Sequence, residues 1–102
     1  MPSVSEALQR LAREIANARQ QHANFLKVIH GYGSSGEGGD IRIAVQKRLV
    51  EMIGRSEVRA CIFGEKWSKS DEQTWALIHA KIELKQDHDL GKKNLGITIV
   101  VL

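Results

Sequence analysis

The sequence predicts a small two-layer α/β sandwich in which helices pack on a mixed sheet. Runs of apolar and β-branched residues, typical of buried strands, occur at 25–30, 57–63 and 96–102. Other segments place an apolar residue at every third or fourth position, which is the spacing of amphipathic helices. A chain of 102 residues supports one hydrophobic core, so we expect a single domain over residues 1–102.

The composition is that of an ordinary globular protein and excludes several other classes. Cys61 is the only cysteine, which rules out an intrachain disulfide and a cysteine zinc cluster. The sequence has no run of about 18 apolar residues that could span a membrane. We therefore expect a cytoplasmic protein. The net charge of +3 permits a nucleic-acid partner without requiring one.

The first helix is predicted over residues 4–23. Its apolar stripe consists of Val4, Leu8, Leu11, Ile15 and Ala18. Ser3 followed by Glu6 matches a capping box, although Ser5 would also serve as the N-cap. We expect one face of this helix to pack on the sheet.

A strand, a glycine-rich loop and a second helix follow. The strand over residues 25–30 is almost entirely apolar, so we expect both of its faces to be covered. After the loop at 31–39, Asp40 is a suitable N-cap for a helix that runs to about Ile53, with Gly54 at its C′ position. The predicted buried stripe of this helix comprises Ile41, Ala44, Val45, Leu49, Met52 and Ile53.

The second and third strands complete the sheet. A strand at 57–63 after the second helix makes a right-handed parallel crossover the default connection. Cys61 within it is expected to be a small core residue and not a reactive thiol. The final strand at 96–102 is rich in β-branched residues and is predicted to be buried on both faces.

Residues 65–94 form an insertion whose pattern fits two structures. A capping-box pattern begins at Ser70. The apolar helical face would consist of Trp75, Ile78 and Ile82. Apolar residues over 78–84 also alternate with polar ones, as in a half-exposed strand. The preferred interpretation is a helix over residues 71–86, with Trp75 in the core.

The glycine-rich loop is the main functional signal of the sequence. Gly31-Tyr32-Gly33-Ser34-Ser35-Gly36 matches G-x-G-x-x-G after a strand. Glycines allow positive φ and close approach to a ligand, and a helix N-terminus favours an anion, so the loop predicts a phosphate site. The second helix starts too late for a dinucleotide fold, and the lack of Gly-Lys-Ser/Thr excludes a P-loop.

Several stretches of the chain together have the arrangement of a known family. They are Val28-Ile29-His30-Gly31-Tyr32-Gly33, the helical pattern from Ile41 to Leu49, the helix start at Ser5 and the closing strand at 96–102. In their order along the chain they resemble the Smr (small MutS-related) domain family. The resemblance implies an α/β sandwich similar to the C-terminal domain of translation initiation factor 3. It also implies nucleic-acid binding, and in several members nicking endonuclease activity on DNA or RNA.

Two departures from the family pattern bear on cleavage. Family members usually begin with a strand that carries an Asp-x-His-Gly motif implicated in nuclease activity, whereas here the sequence reaches the first helix at once. The residue after Gly31, often basic in the family, is Tyr32. We therefore expect nucleic-acid binding to be retained and any nicking endonuclease activity to be weak or degenerate.

The candidate site residues lie in the glycine loop and in loops beside other strands. His30 is the candidate catalytic residue, although a hydrogen bond to the loop backbone explains this histidine equally well. The candidate nucleic-acid contacts are Gly31, Tyr32, Gly33, Gly36, Arg42, Lys66, Lys69, Lys92 and Lys93. Tyr32 and Trp67 are candidates for stacking on unpaired bases. The histidines lack metal-ligand spacing and no cofactor is evident, but a nuclease could use a divalent metal.

Two other classes of function stay open. An open sheet edge, left by the lack of the family's first strand, would allow a homodimer or another protein-interaction module. A small phosphorylated ligand could bind at the glycine loop instead of nucleic acid. The sequence does not distinguish DNA from RNA.

Overall fold

The computed structural model describes residues 3–31 and 37–102. The helices are α1 (Val4–Gln20), α2 (Glu37–Gly54) and α3 (Glu72–Ala80), and the strands are β1 (Phe25–Ile29), β2 (Ala60–Phe63) and β3 (Ile97–Val101). Two short 3₁₀ helices span Gly64–Lys66 and Ile82–Gln86. Within the described ranges, none of the helices combines the length and apolar character that crossing a membrane requires.

The strands form one sheet in the order β1–β3–β2. β3 pairs with β1 so that Phe25 lies opposite Val101 and Ile29 opposite Ile97, and it pairs with β2 so that Ala60 lies opposite Val101. Both pairings are antiparallel, so the expected mixed sheet is antiparallel across the described strands. β1 and β2 do run in the same direction, as the predicted crossover requires, but β3 lies between them.

Apolar residues cover both faces of this sheet. The core on one face, under α1 and α2, consists of Leu11, Ile15, Ile41, Val45, Leu49, Met52, Val58 and Val100. The core on the opposite face consists of Ile62, Trp67, Ile78, Leu84, Ile97 and Ile99. Neighbouring residues of β3 enter different cores because side chains alternate between the faces of a strand. The α/β sandwich is confirmed, and the segment between β2 and β3 adds a layer opposite α1 and α2.

The strands differ in burial according to their place in the sheet. β3 is the central strand, and its residues Ile97 to Val100 are buried, as predicted. β1 is an edge strand, and Ile29 at its end is 78% exposed, so the expectation that both faces of β1 are covered is wrong. β2 begins at Ala60 and not at residue 57. Cys61 packs against the core under the helices, where burial raises the pKa of its thiol to about 11.

The capping box at the start of α1 is confirmed. The Ser3 hydroxyl accepts a hydrogen bond from the Glu6 backbone N–H at 3.1 Å, and the Glu6 carboxylate accepts one from the Ser3 N–H at 3.4 Å. Ser5, the alternative N-cap, lies inside the helix. α1 ends at Gln20, earlier than predicted, because His22 adopts a left-handed conformation with φ 58°.

α2 begins earlier and ends differently from the prediction. It starts at Glu37, so Asp40 lies within the helix and is not its N-cap. The left-handed residue after the helix is Ser56, with φ 60°, and not Gly54, which is still helical. Ile53 is exposed, and the preceding residue, Met52, is the last buried residue of α2. The other predicted stripe residues are buried or half-buried: Ile41, Ala44, Val45, Leu49 and Met52.

The preferred helix over residues 71–86 is confirmed in its first half. α3 ends at Ala80, and after an extended Lys81 the chain continues as the 3₁₀ helix Ile82–Gln86. The N-cap is Asp71 and not Ser70, because an Asp71 carboxylate oxygen accepts a hydrogen bond from the Thr74 N–H at 3.0 Å.

The two tryptophans have environments opposite to those predicted. Trp75 is 44% exposed and stacks edge-on against His79, with ring centroids 4.5 Å apart, so it is not a core residue. Trp67 is completely buried, and its indole N–H donates to Asp87 at 2.9 Å. Stacking on bases by Trp67 is therefore ruled out, because the packed core leaves no face of the indole accessible.

Candidate nucleic-acid interface

The strand ends nearest the glycine loop meet at one end of the sheet. β1 and β2 both end there, and β3 begins there. The backbone N–H groups of His30 and Gly31 both donate to the Gly96 carbonyl, at 3.0 and 3.1 Å. Gly64 packs so tightly that a Cβ would overlap the Asn94 carbonyl oxygen and lie 2.9 Å from that of Ile97. The chain leaving β1, the chain leaving β2 and the chain entering β3 are thus in mutual contact.

His30 is held at this end by hydrogen bonds from both ring nitrogens. Nδ1 lies 2.6 Å from the Gly31 carbonyl oxygen, and Nε2 lies 3.0 Å from the hydroxyl of the buried Thr98. A carbonyl oxygen can only accept, so Nδ1 carries the proton and donates to Gly31. In the neutral ring, Nε2 then accepts from the Thr98 hydroxyl. The histidine therefore fixes the backbone at the start of the loop, which is one of the two roles that the sequence left open.

The surroundings of His30 favour its neutral form. Burial lowers the pKa of His30 below its ordinary value of 6.5, and the positive charge of Arg42 lowers it further, although hydrogen bonding to Gly31 partly opposes the shift. The neutral ring has a single lone pair, and Thr98 occupies it. Proton abstraction by His30 would require this hydrogen bond to open first.

Arg42 and Glu65 form a second polar group beside His30. The Arg42 guanidinium lies 3.6 Å from the Glu65 carboxylate, which is long for a hydrogen bond. Among the described residues, Arg42 Nε and Glu65 Oε2 are buried atoms without a hydrogen-bond partner. The side-chain amide nitrogen of Gln46, one helical turn after Arg42, is also buried and unpartnered within these residues. We call His30, Arg42, Glu65 and Thr98 the His30 cluster.

The backbone conformation of Gly31, at the start of the loop, is one that favours glycine. Its φ of +81° lies in the left-handed region, which glycine adopts without the strain that a side chain would add. No heavy atom of the described residues other than its chain neighbours lies within 4 Å of the position a Cβ would take at Gly31. Tyr32, Gly33 and Gly36, which we expect to contact nucleic acid, lie outside the described residues.

Three of the predicted lysines belong to segments that meet near the His30 cluster. Lys66 directly follows Glu65, and Lys92 and Lys93 precede Asn94, which packs on Gly64. Gly91 N–H also donates to the Trp67 carbonyl at 2.8 Å, which ties the two segments together. Both of these lysine segments are exposed, as is Lys69 in the turn before α3. None of the four lysines forms an ion pair with a described residue.

The sequence did not reveal a polar network on the opposite face of the sheet. Lys27 in β1 donates to the carboxylates of Asp87 and Asp89. Asp89 also accepts from the Asn94 amide at 2.9 Å, and the Asn94 side-chain oxygen accepts from the Gly96 N–H at 2.8 Å. The sequence does contain two signals, which are a lysine inside an apolar strand and two aspartates separated by one residue. Local spacing, however, does not indicate that these distant residues pair.

The described residues provide no clear metal site. Within residues 3–31 and 37–102, no three histidine, cysteine, aspartate or glutamate side chains are grouped so that they could hold a metal ion. Glu65 is the one carboxylate of the His30 cluster, and it faces Arg42.

The fold and this geometry define a small α/β sandwich domain with a histidine, an arginine and a glutamate gathered at one end of its sheet. The family model described as Smr domain matches residues 2–79, which is most of the chain. The chain therefore belongs to the Smr domain family. The match stops before β3, so the resemblance of the closing strand stays a prediction. Comparisons with curated proteins and with solved structures gave no match, and the likeness to translation initiation factor 3 is not confirmed.

Proposed function

We propose that this domain binds nucleic acid through its phosphate backbone at the His30 cluster. The observation that carries the proposal is a set of buried donors that have no acceptor among residues 3–31 and 37–102: Arg42 Nε and the Gln46 amide nitrogen, one turn apart on α2. A buried donor that lacks an acceptor costs about 1–3 kcal/mol, and a bound phosphate oxygen would remove that cost. Membership of the Smr family, associated with nucleic-acid binding, agrees with this assignment.

The guanidinium of Arg42 is the central group of the proposed site. Its planar fork matches two phosphate oxygens at once, which a lysine cannot do. The present partner, Glu65, is 3.6 Å away and holds Arg42 only weakly. A phosphate that displaces Glu65 would form shorter charge-assisted hydrogen bonds with Arg42.

The lysines at 66, 69, 92 and 93 extend the proposed site as a basic rim. They are exposed and lack ion-pair partners among the described residues. Such lysines strengthen binding by releasing counterions from the nucleic acid, independently of base sequence. The proposal is therefore for backbone binding without strong sequence preference, on DNA or RNA.

The state of His30 supports binding over efficient cleavage. Both ring nitrogens are engaged, and burial lowers the pKa of His30 and so favours the neutral ring, which makes His30 a positioning residue in this state. Hydrolysis of a phosphodiester needs a free base and stabilisation of the developing charge. Any nicking activity would require His30 to release Thr98, and we expect it to be weak.

The test is a binding titration with labelled single-stranded and duplex DNA and RNA, followed by fluorescence anisotropy at two salt concentrations. Arg42→Gln is expected to weaken binding about tenfold at low salt and to reduce the salt slope by about one. Arg48→Gln is the matched control, since Arg48 lies in the second half of the same helix and is not part of the His30 cluster. It should leave the titration nearly unchanged. Equal losses in the two variants, or no binding of any probe at low salt, would refute the site.

A denaturing gel of the same samples, with magnesium or manganese present, tests cleavage. Product bands that disappear in His30→Ala would show that His30 acts catalytically. Intact strands in wild type would agree with a binding domain.

A further inference from the structure

We propose that the free edge of β1 pairs with β1 of a second copy of this chain, joining the two sheets across a two-fold axis. β1 is an edge strand, and among the described residues only β3 pairs with it. An edge strand presents unpaired backbone groups, which are a template for another strand. This proposal is independent of nucleic-acid binding.

The hydrogen bonds at the two ends of β1 establish which residues face outward. His30 N–H donates to Gly96, and the Asn24 carbonyl accepts from Leu102, so these even-numbered positions are bonded to β3. Bonding alternates along an antiparallel strand, so the backbone groups of the odd-numbered residues of β1 point to the free edge. These residues are Phe25, Lys27 and Ile29.

The three residues whose backbone groups point to the free edge can pair with the same three residues of a second copy. In an antiparallel pair centred on Lys27, Phe25 lies opposite Ile29 of the second copy, and all three outward residues can exchange backbone hydrogen bonds. Ile29 is 78% exposed, far more than an apolar side chain of a strand usually is. Contact with the second copy's Phe25 would cover it, while Leu26 would meet Val28 on the other face.

Lysine on an edge strand usually prevents such pairing, but Lys27 does not present a free charge. Its ammonium group turns onto Asp87 and Asp89, and its side chain is only 24% exposed. The charge of Lys27 is therefore compensated within each copy, and two Lys27 residues that lie opposite each other across the pair would not meet as two free charges.

A groove beside β1 adds charge complementarity. It has a volume of about 260 Å³ and lies between α1 and β1, with Leu11, Leu26 and Val28 among its lining residues. Arg10 and Glu14 line it from α1, 3.8 Å apart. A contact across a two-fold axis occurs twice, so contact of Arg10 in one copy with Glu14 in the other would form two ion pairs between the copies.

The test is sedimentation velocity of the wild-type chain over a wide range of concentrations. We expect a reversible monomer–dimer equilibrium. Ile29→Lys should raise the dimer dissociation constant about tenfold, because two symmetry-related apolar pairs are lost. Ile43→Lys is the matched control, since Ile43 is another exposed isoleucine, 61% accessible on α2, and should dimerise like wild type.

Ile29→Pro tests the backbone pairing separately. The substitution removes a backbone N–H that points to the free edge and keeps the hydrogen bonds between β1 and β3. The monomer should therefore fold, which circular dichroism will check, and dimerisation should be lost. A wild-type chain that is monomeric at every concentration would overturn the proposal. So would a dimer that both Ile29 variants leave intact.

Discussion

The ion pairs of Lys27 test how the segment between β2 and β3 is held on the sheet. Lys27 Nζ lies 3.0 Å from Asp87 Oδ1 and 2.5 Å from Asp89 Oδ2, and the exposed fractions of the three side chains are 24%, 16% and 14%. Lys27→Met keeps most of the aliphatic stem and removes the ammonium group. Two neighbouring carboxylates would then be left without their common counterion.

The expected loss of stability follows from this geometry. Breaking a fully buried ion pair costs about 3–5 kcal/mol. Water reaches all three groups of this network, and the Trp67 indole and the Asn94 amide still donate to the carboxylates in the variant. We therefore expect Lys27→Met to lower the free energy of unfolding by about 2 kcal/mol at pH 7. In a domain of this size, that loss corresponds to a decrease in Tm of about 10 °C.

The pH dependence of this loss provides a second check. Hydrogen bonds from Lys27 and Asn94 lower the pKa of Asp89 below its ordinary value of 3.8. A carboxyl group with a lowered folded-state pKa contributes stability above its unfolded-state pKa and loses it as the pH falls through the folded-state value. The difference between wild type and Lys27→Met should therefore be complete at pH 7 and shrink as the pH falls below about 4.

The difference should also shrink at high pH. Burial alone would lower the pKa of Lys27, but the hydrogen bonds and charges of Asp89 and Asp87 outweigh it and raise the pKa above 10.5. Stability from a raised lysine pKa is present below the unfolded-state value and is lost as the pH rises through the folded-state value. The contribution of Lys27 to the free energy of unfolding should thus be greatest at pH values above the ordinary pKa of aspartate and below that of lysine.

Urea unfolding followed by circular dichroism, at several pH values, measures these differences. Lys47→Met is the control, because Lys47 is exposed on α2, and it should change the free energy of unfolding by less than about 0.5 kcal/mol. The reasoning would be refuted if Lys27→Met matched this control, or if its cost were the same at pH 3 and pH 7.

Two further predictions concern the end of the sheet. Glu65→Gln removes the carboxylate that faces Arg42, so we expect affinity for nucleic acid to rise about fivefold in the anisotropy titration. Unchanged or weaker binding would argue that Glu65 does not compete with phosphate. Gly64→Ala would force a Cβ onto the Asn94 carbonyl oxygen, a backbone atom that cannot turn away, so we expect a loss of about 3 kcal/mol or more in urea unfolding. Near-wild-type stability would show that the chain entering β3 can shift without cost.

An element could be predicted from the sequence where its local residue pattern matches its burial and position in the fold. β3 is β-branched throughout and is the central strand, and α1 combines an apolar stripe with a capping box. α2 was misjudged at its start because Gly38, Gly39 and Asp40 are poor helix formers, and the helix begins before them all the same. The packing of its apolar face supplies stability that propensity does not include.

Pairings between distant residues could not be predicted in the same way. Periodicity indicates which positions share an apolar face, but not which of two tryptophans is buried in the core. The sequence therefore predicts a buried Trp75 and an accessible Trp67, and the structure shows the reverse. The partners of Lys27 are separated from it by 60 and 62 positions in the sequence. The order of the sheet, with β3 between β1 and β2, depends on similar long-range contacts.

The residues that position the His30 cluster come largely from the end of the chain. Asp89 accepts from Asn94, Asn94 accepts from the Gly96 N–H, and the Gly96 carbonyl accepts from His30 and Gly31. These bonds form a continuous path from the Lys27 network to the start of the glycine loop, and Thr98 holds the histidine ring from β3. The family match ends at residue 79, before the intermediate residues of this path, Asp89, Asn94 and Gly96, and before Thr98. The geometry of the candidate site therefore depends on a part of the chain beyond the matched region, and the segment between β2 and β3 belongs to the site as much as the glycine loop does.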